Sequence, residues 1–396
     1  MLVSADQVLI GPAGETVPDG AVLVRGSTIV AVGPRSEVEP LAPESARRLS
    51  FPGGTLLPGL IDAHVHLCFD GGPEPVASLQ NQGDDELLGA MRERALCLLD
   101  AGVTTARDLG DRNGLALRLA AEIAEGSARG PRIVSASAPI TPPGGHCWFL
   151  GGEASGADEI RRQVRRNAAA GARVIKVMVS GGGLTPGGPR PWETQFSTAE
   201  LEVVVEVARA AGLPVAAHAH GTEGIIAAVN AGVDTIEHCT WMSEDGTIKV
   251  RDDVLTTIID RGIRVCPTVS PHWRMLPQLF GAERAEAMIA GIRYMAEAGV
   301  RLIAGTDAGV QRSGFDGLVS SLGFYDHLGL SADRVIAMAT AEAADALGLG
   351  GHTGRLAPGY SADLLVVDGD PLDDLGRLGD VRTVVAAGRH HHPAQS

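Results

Sequence analysis

With 396 residues, 44% of them apolar and 20% charged, the chain can build one large domain and a smaller one, which excludes bulk disorder. Its 48 acidic and 33 basic side chains leave a formal charge of −15, which argues against the basic face of a nucleic-acid binder. Cys68, Cys97, Cys147, Cys239 and Cys266 are dispersed without a C-x-x-C pair, so they read as reduced thiols of a cytoplasm rather than a disulfide framework or a thiolate zinc site. The N-terminal MLVSADQVLI lacks the cationic start and long apolar stretch of a signal peptide, and no apolar run reaches the roughly 18–20 residues of a membrane span. The expectation is a soluble cytoplasmic protein with a small-molecule substrate and with neither nucleic acid nor membrane as partner.

In chain order, the first 50 residues read as short strands and turns: ADQVLIG, then AVLVRGSTIVAVG with Gly26 and Ser27 at a hairpin position. From residue 60 the pattern becomes alternating β and α. Short apolar or β-branched runs recur at 60–67, 102–110, 132–137, 173–180, 214–220, 234–240, 263–270 and 301–307, separated by segments able to form helices. Ala101–Gly102, Ala231–Gly232 and Ala298–Gly299 fit helices ending at a glycine cap just before the next strand. Eight such units over about 250–300 residues match a (β/α)8 TIM barrel, whereas the G-x-G-x-x-G turn of an open doubly wound sheet is missing. The last 40 residues return to strands, ADLLVVDGD and VRTVVAAGR. The predicted fold class is α/β, with a TIM barrel over 55–353 and a small β-sandwich built from both termini, 1–54 and 354–392. The Gly/Pro-rich segment SGGGLTPGGPRPWETQF (180–196) is either a lid or a surface excursion. His390–His392 lie in the tail and stand outside the site argument.

Metal-ligand side chains stand at or near the ends of five of these runs, where such a barrel brings them together. His64 and His66 are two apart on the first run, so both face one side and can grip one cation. Lys176 lies in the fourth run, His218 on the fifth; His238 ends the sixth and Asp307 the eighth. One histidine so placed reads as a hydrogen-bonded core residue; four of them with an aspartate read as a metal centre. Lys176, flanked by Val174, Ile175, Val177 and Met178, needs its charge paired or removed. An ion pair is one solution. Carbamylation by CO2 is the other, giving a two-oxygen anion able to bridge two divalent cations. A carbamate, Asp307 and a bridging hydroxide would offset most of the charge of two dications and leave a net positive charge to polarise a carbonyl.

The segments FPGGTLLPGLIDAHVHL, GVTTARDLG, VIKVMVSGGG, AAHAHG, TIEHCT, IAGTDAG and GRLAPGYSADLLVVDGDPL follow one another in the order of the amidohydrolase superfamily, which the chain resembles over nearly its whole length. The set H-x-H, Lys, His, His, Asp is complete. The resemblance implies that His64, His66 and Asp307 bind one metal and His218 and His238 the other, both divalent ions and zinc the first choice. Carbamylated Lys176 would bridge them. The branch it looks most like is prolidase-like and imidazolonepropionase-related, which implies hydrolysis of a dipeptide (Xaa-Pro or Xaa-Arg/Lys) or an N-acyl amino acid, and a homo-oligomer. Lys176, and Gly221 where mononuclear deaminases carry Glu, set it apart from those deaminases. His220 stands where many prolidase-like relatives have Tyr.

The implied reaction is attack of a metal-bridging hydroxide on a polarised carbonyl, with Asp307 taking the proton and passing it to the leaving amine. His146, after the turn TPPGGH, and His220 are the candidate oxyanion donors, and His146 equally fits an ordinary loop histidine. A substrate carboxylate calls for Arg107 or Arg190, with a pair between Arg107 and Asp108 or another acid at the barrel mouth as the structural alternative. Trp192 either lines the pocket or pins the loop. A cyclic-amide hydrolase or deaminase would use the same strand ends, as would an ester, lactone or organophosphate hydrolase.

Overall fold

The structure, a computed structural model, describes residues 1–11 and 15–394. Four strands open the chain: β1 (Leu2–Gly11), β2 (Glu15–Arg25), β3 (Thr28–Pro34) and β4 (Arg48–Pro58). The hairpin expected at Gly26–Ser27 is present, with Arg25 opposite Thr28. Gly26 has φ +61, a left-handed value that glycine adopts at no steric cost. β1 then pairs antiparallel with β2 on one side and parallel with β4 on the other.

The middle of the chain forms two parallel arcs. The first contains β5 (Leu60–Val65), β6 (Val103–Asp108) and β7 (Arg132–Ser135). The second contains β8 (Ile175–Met178), β9 (Val215–Gly221), β10 (Thr235–Met242) and β11 (Arg264–Cys266). Their near-continuous apolar runs suit strands covered by helices on the outside. The glycine caps expected before three strands are seen as left-handed residues, Gly102 at φ +86, Gly232 at +80 and Gly299 at +95. Ser197 and Glu200 form a reciprocal capping box on the helix Thr198–Ala210, ahead of β9.

The eighth run makes parallel bridges instead of a continuous strand: Leu302 to Val265 on one side and Ala308 to Val65 on the other. Between the arcs on the opposite side, Ile140 bridges Val177 and Arg173 N–H donates to Ser135 O at 2.9 Å.

β12 (Leu364–Asp368), β13 (Val381–Ala386) and β14 (Arg389–His391) close the chain. β12 lies antiparallel on β4, with Leu364 opposite Pro58. Both ends of the chain therefore share one seven-stranded sheet, ordered β14-β13-β12-β4-β1-β2-β3. Its buried face, including Val3, Val22, Leu56 and Val366, forms a core of its own. Among the described residues no helix is long and apolar enough to cross a membrane. A cavity of about 950 Å³ lies near the N-terminal ends of the parallel strands, by Arg132, Arg173 and Leu213, and none of the expected metal ligands lines it. The histidines gather at the other ends.

Candidate metal centre and active site

β5 is buried along its whole length, and its pleat puts His64 and His66 on one face with ring centroids 5.3 Å apart. Asp307 joins them because its N–H donates to His64 O at 2.8 Å while its φ of +57 turns the side chain inward. Asp307 Oδ1 comes within 3.4 Å of His64 Nε2 and 3.5 Å of His66 Nε2. The ring protons of both histidines are engaged elsewhere. His64 uses its Nδ1–H on Glu237 Oε2 at 2.8 Å, and His66 uses its Nδ1–H on the Gly110 carbonyl at 3.1 Å. Both Nε2 atoms thus carry lone pairs, and Asp307 Oδ1 has no hydrogen-bond partner. Three acceptors aimed at one another repel unless a cation sits among them.

The second cluster repeats this logic. His218 donates Nε2–H to Gly181 O at 3.0 Å, which leaves Nδ1 free. His238 Nδ1–H meets Thr268 Oγ1 at 2.6 Å, and that hydroxyl donates onward to Pro267 O, so Nε2 is free. His220 Nδ1–H meets Thr240 Oγ1 at 3.0 Å, and that hydroxyl donates to His220 O, so Nε2 is free here as well. One nitrogen from each of the three rings lies within 4.8 Å of the others. The His220 ring stacks on His238 at 4.3 Å. The sequence reading made His220 an oxyanion donor and substrate contact; the geometry also puts it among the possible ligands.

Of the chain's 33 basic residues only Lys176 and Lys249 are lysines. Lys249 is exposed, whereas Lys176 is wholly buried and its Nζ has no hydrogen-bond partner. Burial lowers its pKa to about 8, with the carboxylates of Glu237 and Asp307 resisting that shift. The positive charge of Lys176 in turn helps depress all five imidazoles, after burial as the larger cause: His66 and His220 to about 4, and His64, His218 and His238 well below their ordinary value. Its ammonium form is therefore a poor companion for this set, and a guanidinium, which cannot lose its proton, would be worse. Burial also raises the Asp307 carboxyl to about 7.

The remaining predicted residues separate. His146 is buried and lies beside His218, with centroids 4.8 Å apart. Its backbone N–H donates to Gln195 Oε1 at 2.8 Å. Thr185 Oγ1 accepts Cys147 N–H and stands 3.2 Å from His146 Nδ1. Arg107 does not face a substrate: its guanidinium is buried against Ala63 O, Thr235 and Glu237, so its acid partner is Glu237 rather than Asp108. Arg190 is exposed on the Gly/Pro-rich loop. Trp192 backbone covers Gly221, where a Cβ would come within 2.6 Å of the Trp192 carbonyl. The loop is pinned at its base, since Gln195 Nε2 donates to Met178 O and Ser180 O.

Sequence reasoning missed Glu237, Asp62, Thr268, Thr185 and Gln195. Asp62 is buried behind the first cluster, accepting from His64 N–H and from Thr306 N–H and Oγ1–H. Burial pushes its carboxyl up to about 6. For Asp62 and Glu237 the signal was present: each is an acid inside an apolar strand run, the same anomaly that drew attention to Lys176. The two threonines and Gln195 are residue types ordinary for the segments they occupy and gave none.

The profile of the amidohydrolase family matches residues 55–390, and that of the bacterial imidazolonepropionase-like composite domain matches 20–44. Ochratoxinase of Aspergillus niger is 28% identical over 408 aligned positions, covering 93% of this chain and 81% of its own. Imidazolonepropionase of Mesorhizobium japonicum is 26% identical, covering 92% and 90%. The crystal structure of a Xaa-Pro dipeptidase with methionine bound in its active site superposes with a TM-score of 0.85 at 27% identity, over 99% of both chains. Taken with the two clusters of free imidazole nitrogens, the match over 55–390 establishes that the chain belongs to the amidohydrolase family and is a hydrolase of the kind that works with divalent metal ions.

Proposed function

We propose that the chain is a binuclear amidohydrolase that cleaves the amide bond of a dipeptide or an N-acyl amino acid. The observation that carries this reading is the pair of ligand clusters, their imidazole ring protons turned outward, beside an unpartnered buried lysine. His64, His66 and Asp307 would hold one cation and His218 and His238 the other, with His220 in reserve beside them. Lys176, as a carbamate, would join the two, and its depressed pKa makes the reactive neutral amine available near neutrality. Zinc suits this imidazole and carboxylate set. In this reading the two arcs and segment 301–308 close into one (β/α)8 barrel, which the bridges at both junctions support.

Bound there, divalent ions would supply Lewis-acid polarisation of the scissile carbonyl and lower the pKa of an attacking water. Asp307, beside that water, would take its proton and deliver it to the leaving amine. His146 supplies the oxyanion donor. Thr185 Oγ1 stands 3.2 Å from His146 Nδ1, and in the arrangement where that hydroxyl donates to Nδ1, His146 keeps Nε2–H to donate. His220 in its observed tautomer offers an acceptor, so the donor role falls to His146 alone. Arg190 remains for a substrate carboxylate, since Arg107 is committed within the protein. The ochratoxinase and dipeptidase likenesses favour an amide with an amino-acid leaving group. The five free thiols suit the cytoplasm.

Protein purified with zinc and bicarbonate is expected to carry about two metals per chain and to release free amino acid from a panel of dipeptides and N-acyl amino acids. Lys176→Ala should abolish that release and lower the metal count. Absence of any tightly held metal would overturn the reading. Ring opening of a cyclic amide, without amino-acid release, would favour the second reading, which rests on the imidazolonepropionase-like match at 20–44.

A further inference from the structure

Behind the first cluster runs a buried chain of charges that the reaction above does not use. Arg107 on β6 engages the interior between the two arcs with all three of its nitrogens. Nε donates to Ala63 O at 2.6 Å, Nη1 to Thr235 Oγ1 at 3.0 Å and Nη2 to Glu237 Oε1 at 2.8 Å. Thr235 donates to that same carboxylate oxygen at 2.6 Å, and the other, Glu237 Oε2, receives His64 Nδ1–H. All four residues are at most 2% exposed. They come from β5, β6 and β10, so the chain crosses from one arc to the other.

As a device for stability alone, this is a poor choice. A buried ion pair gains little over apolar residues of similar size, because desolvation offsets most of the attraction. Its position gives a better reason. His66 is steadied by a neutral carbonyl, whereas His64 is steadied by a carboxylate whose charge a guanidinium shares. Arg107 also grips the carbonyl of Ala63, immediately before His64, while Asp62 grips the His64 N–H. An unshared carboxylate would draw the Nδ1 proton toward itself and strengthen Nε2 as an electron donor; a guanidinium on its far oxygen moderates that pull.

We propose that Arg107 and Glu237 are a positioning pair that holds His64 in the Nδ1–H tautomer with Nε2 presented to the metal, Arg107 setting the strength of that ligand by sharing the charge of Glu237. The inference rests on the metal-centre reading, so its test begins without metal. In metal-free protein labelled with nitrogen-15 histidine, His64 is expected as one tautomer, protonated on Nδ1. Glu237→Gln keeps an acceptor but no charge, and should give a mixture of both tautomers. With zinc returned in competition with a chromogenic chelator, Glu237→Gln should hold one equivalent about 10–100-fold more weakly and the other as wild type does. Arg107→Lys, which keeps the charge but cannot reach all three acceptors, shares less of the Glu237 charge and should hold that equivalent more tightly than wild type, with His64 still in one tautomer. Glu237→Gln protein that keeps His64 in one tautomer, or binds both equivalents normally, overturns the proposal. If that variant does not fold, Thr235→Val removes one hydrogen bond to the carboxylate and should tighten the same equivalent while the other binds as in wild type; unchanged binding of both also overturns the proposal. Wild-type protein that binds no zinc would remove the metal-centre reading, and the tautomer comparison would still decide this one.

Discussion

An amine sealed in an apolar strand carries a penalty whenever it is charged, and Lys176 makes that penalty measurable. Its pKa in the folded chain is about 8, below the 10.5 of an ordinary lysine. Between those values the unfolded chain holds a proton that the folded chain lacks, so folding stability rises with pH across that window and is flat for this group above it. In metal-free, CO2-free protein, urea unfolding at the two ends of the window should show this rise in wild type and not in Lys176→Met. Parallel behaviour of the two proteins would mean that an ion partner keeps the amine charged. The six-ligand set was legible because each member is chemically out of place in a run of Val, Ile and Ala. The partners of those ligands were less so: a threonine such as Thr268, whose hydroxyl fixes the His238 tautomer, looks like any other β-branched residue in a strand-rich chain.

At the scale of elements, backbone strain concentrates where the strands end. Ser137, Cys147, His238, Cys239, Trp241, Thr268 and Asp307 all have φ between +51 and +68 without being glycine. Such conformations cost about 1–3 kcal/mol each, so several together rival a domain's total stability of about 5–15 kcal/mol and persist only where surrounding contacts impose them. This is also why pleat alternation alone misplaces His238. Glu237 faces the interior, so its neighbour should face out, and the left-handed turn at His238 brings it back. In the loop 180–196 one side chain makes three of the anchoring contacts: Gln195 joins Met178 O, Ser180 O and His146 N–H. Gln195→Ala leaves these buried groups without their partner, at a cost of about 1–3 kcal/mol. The expected outcome is faster proteolytic cleavage within 181–191 and lower kcat with the fold retained; unchanged cleavage and kcat would show that the loop holds itself.

At the scale of the whole molecule, each arc carries its own half of the site. His64 and His66 lie on β5, with Asp307 bridged beside them, while His218, His220 and His238 lie on β9 and β10. The arcs do not share a continuous ladder but meet through shorter sets of backbone hydrogen bonds, around Ile140–Val177 and Arg173–Ser135 on one side and from segment 301–308 to Val265 and to β5 on the other. The alternating β and α runs made the strands visible in sequence, but nothing in a run of Val and Ile tells which neighbours share a ladder and which touch through one bridge. Mechanically, the junctions are seams and the ligands form a rivet across them. Drawing the rivet with a chelator should weaken the coupling between the halves, so that a single calorimetric melting peak in loaded protein becomes two. A lone peak in both states would mean that Arg107, Glu237 and the seams already make the halves one cooperative unit, with the metal needed for chemistry and not for cohesion.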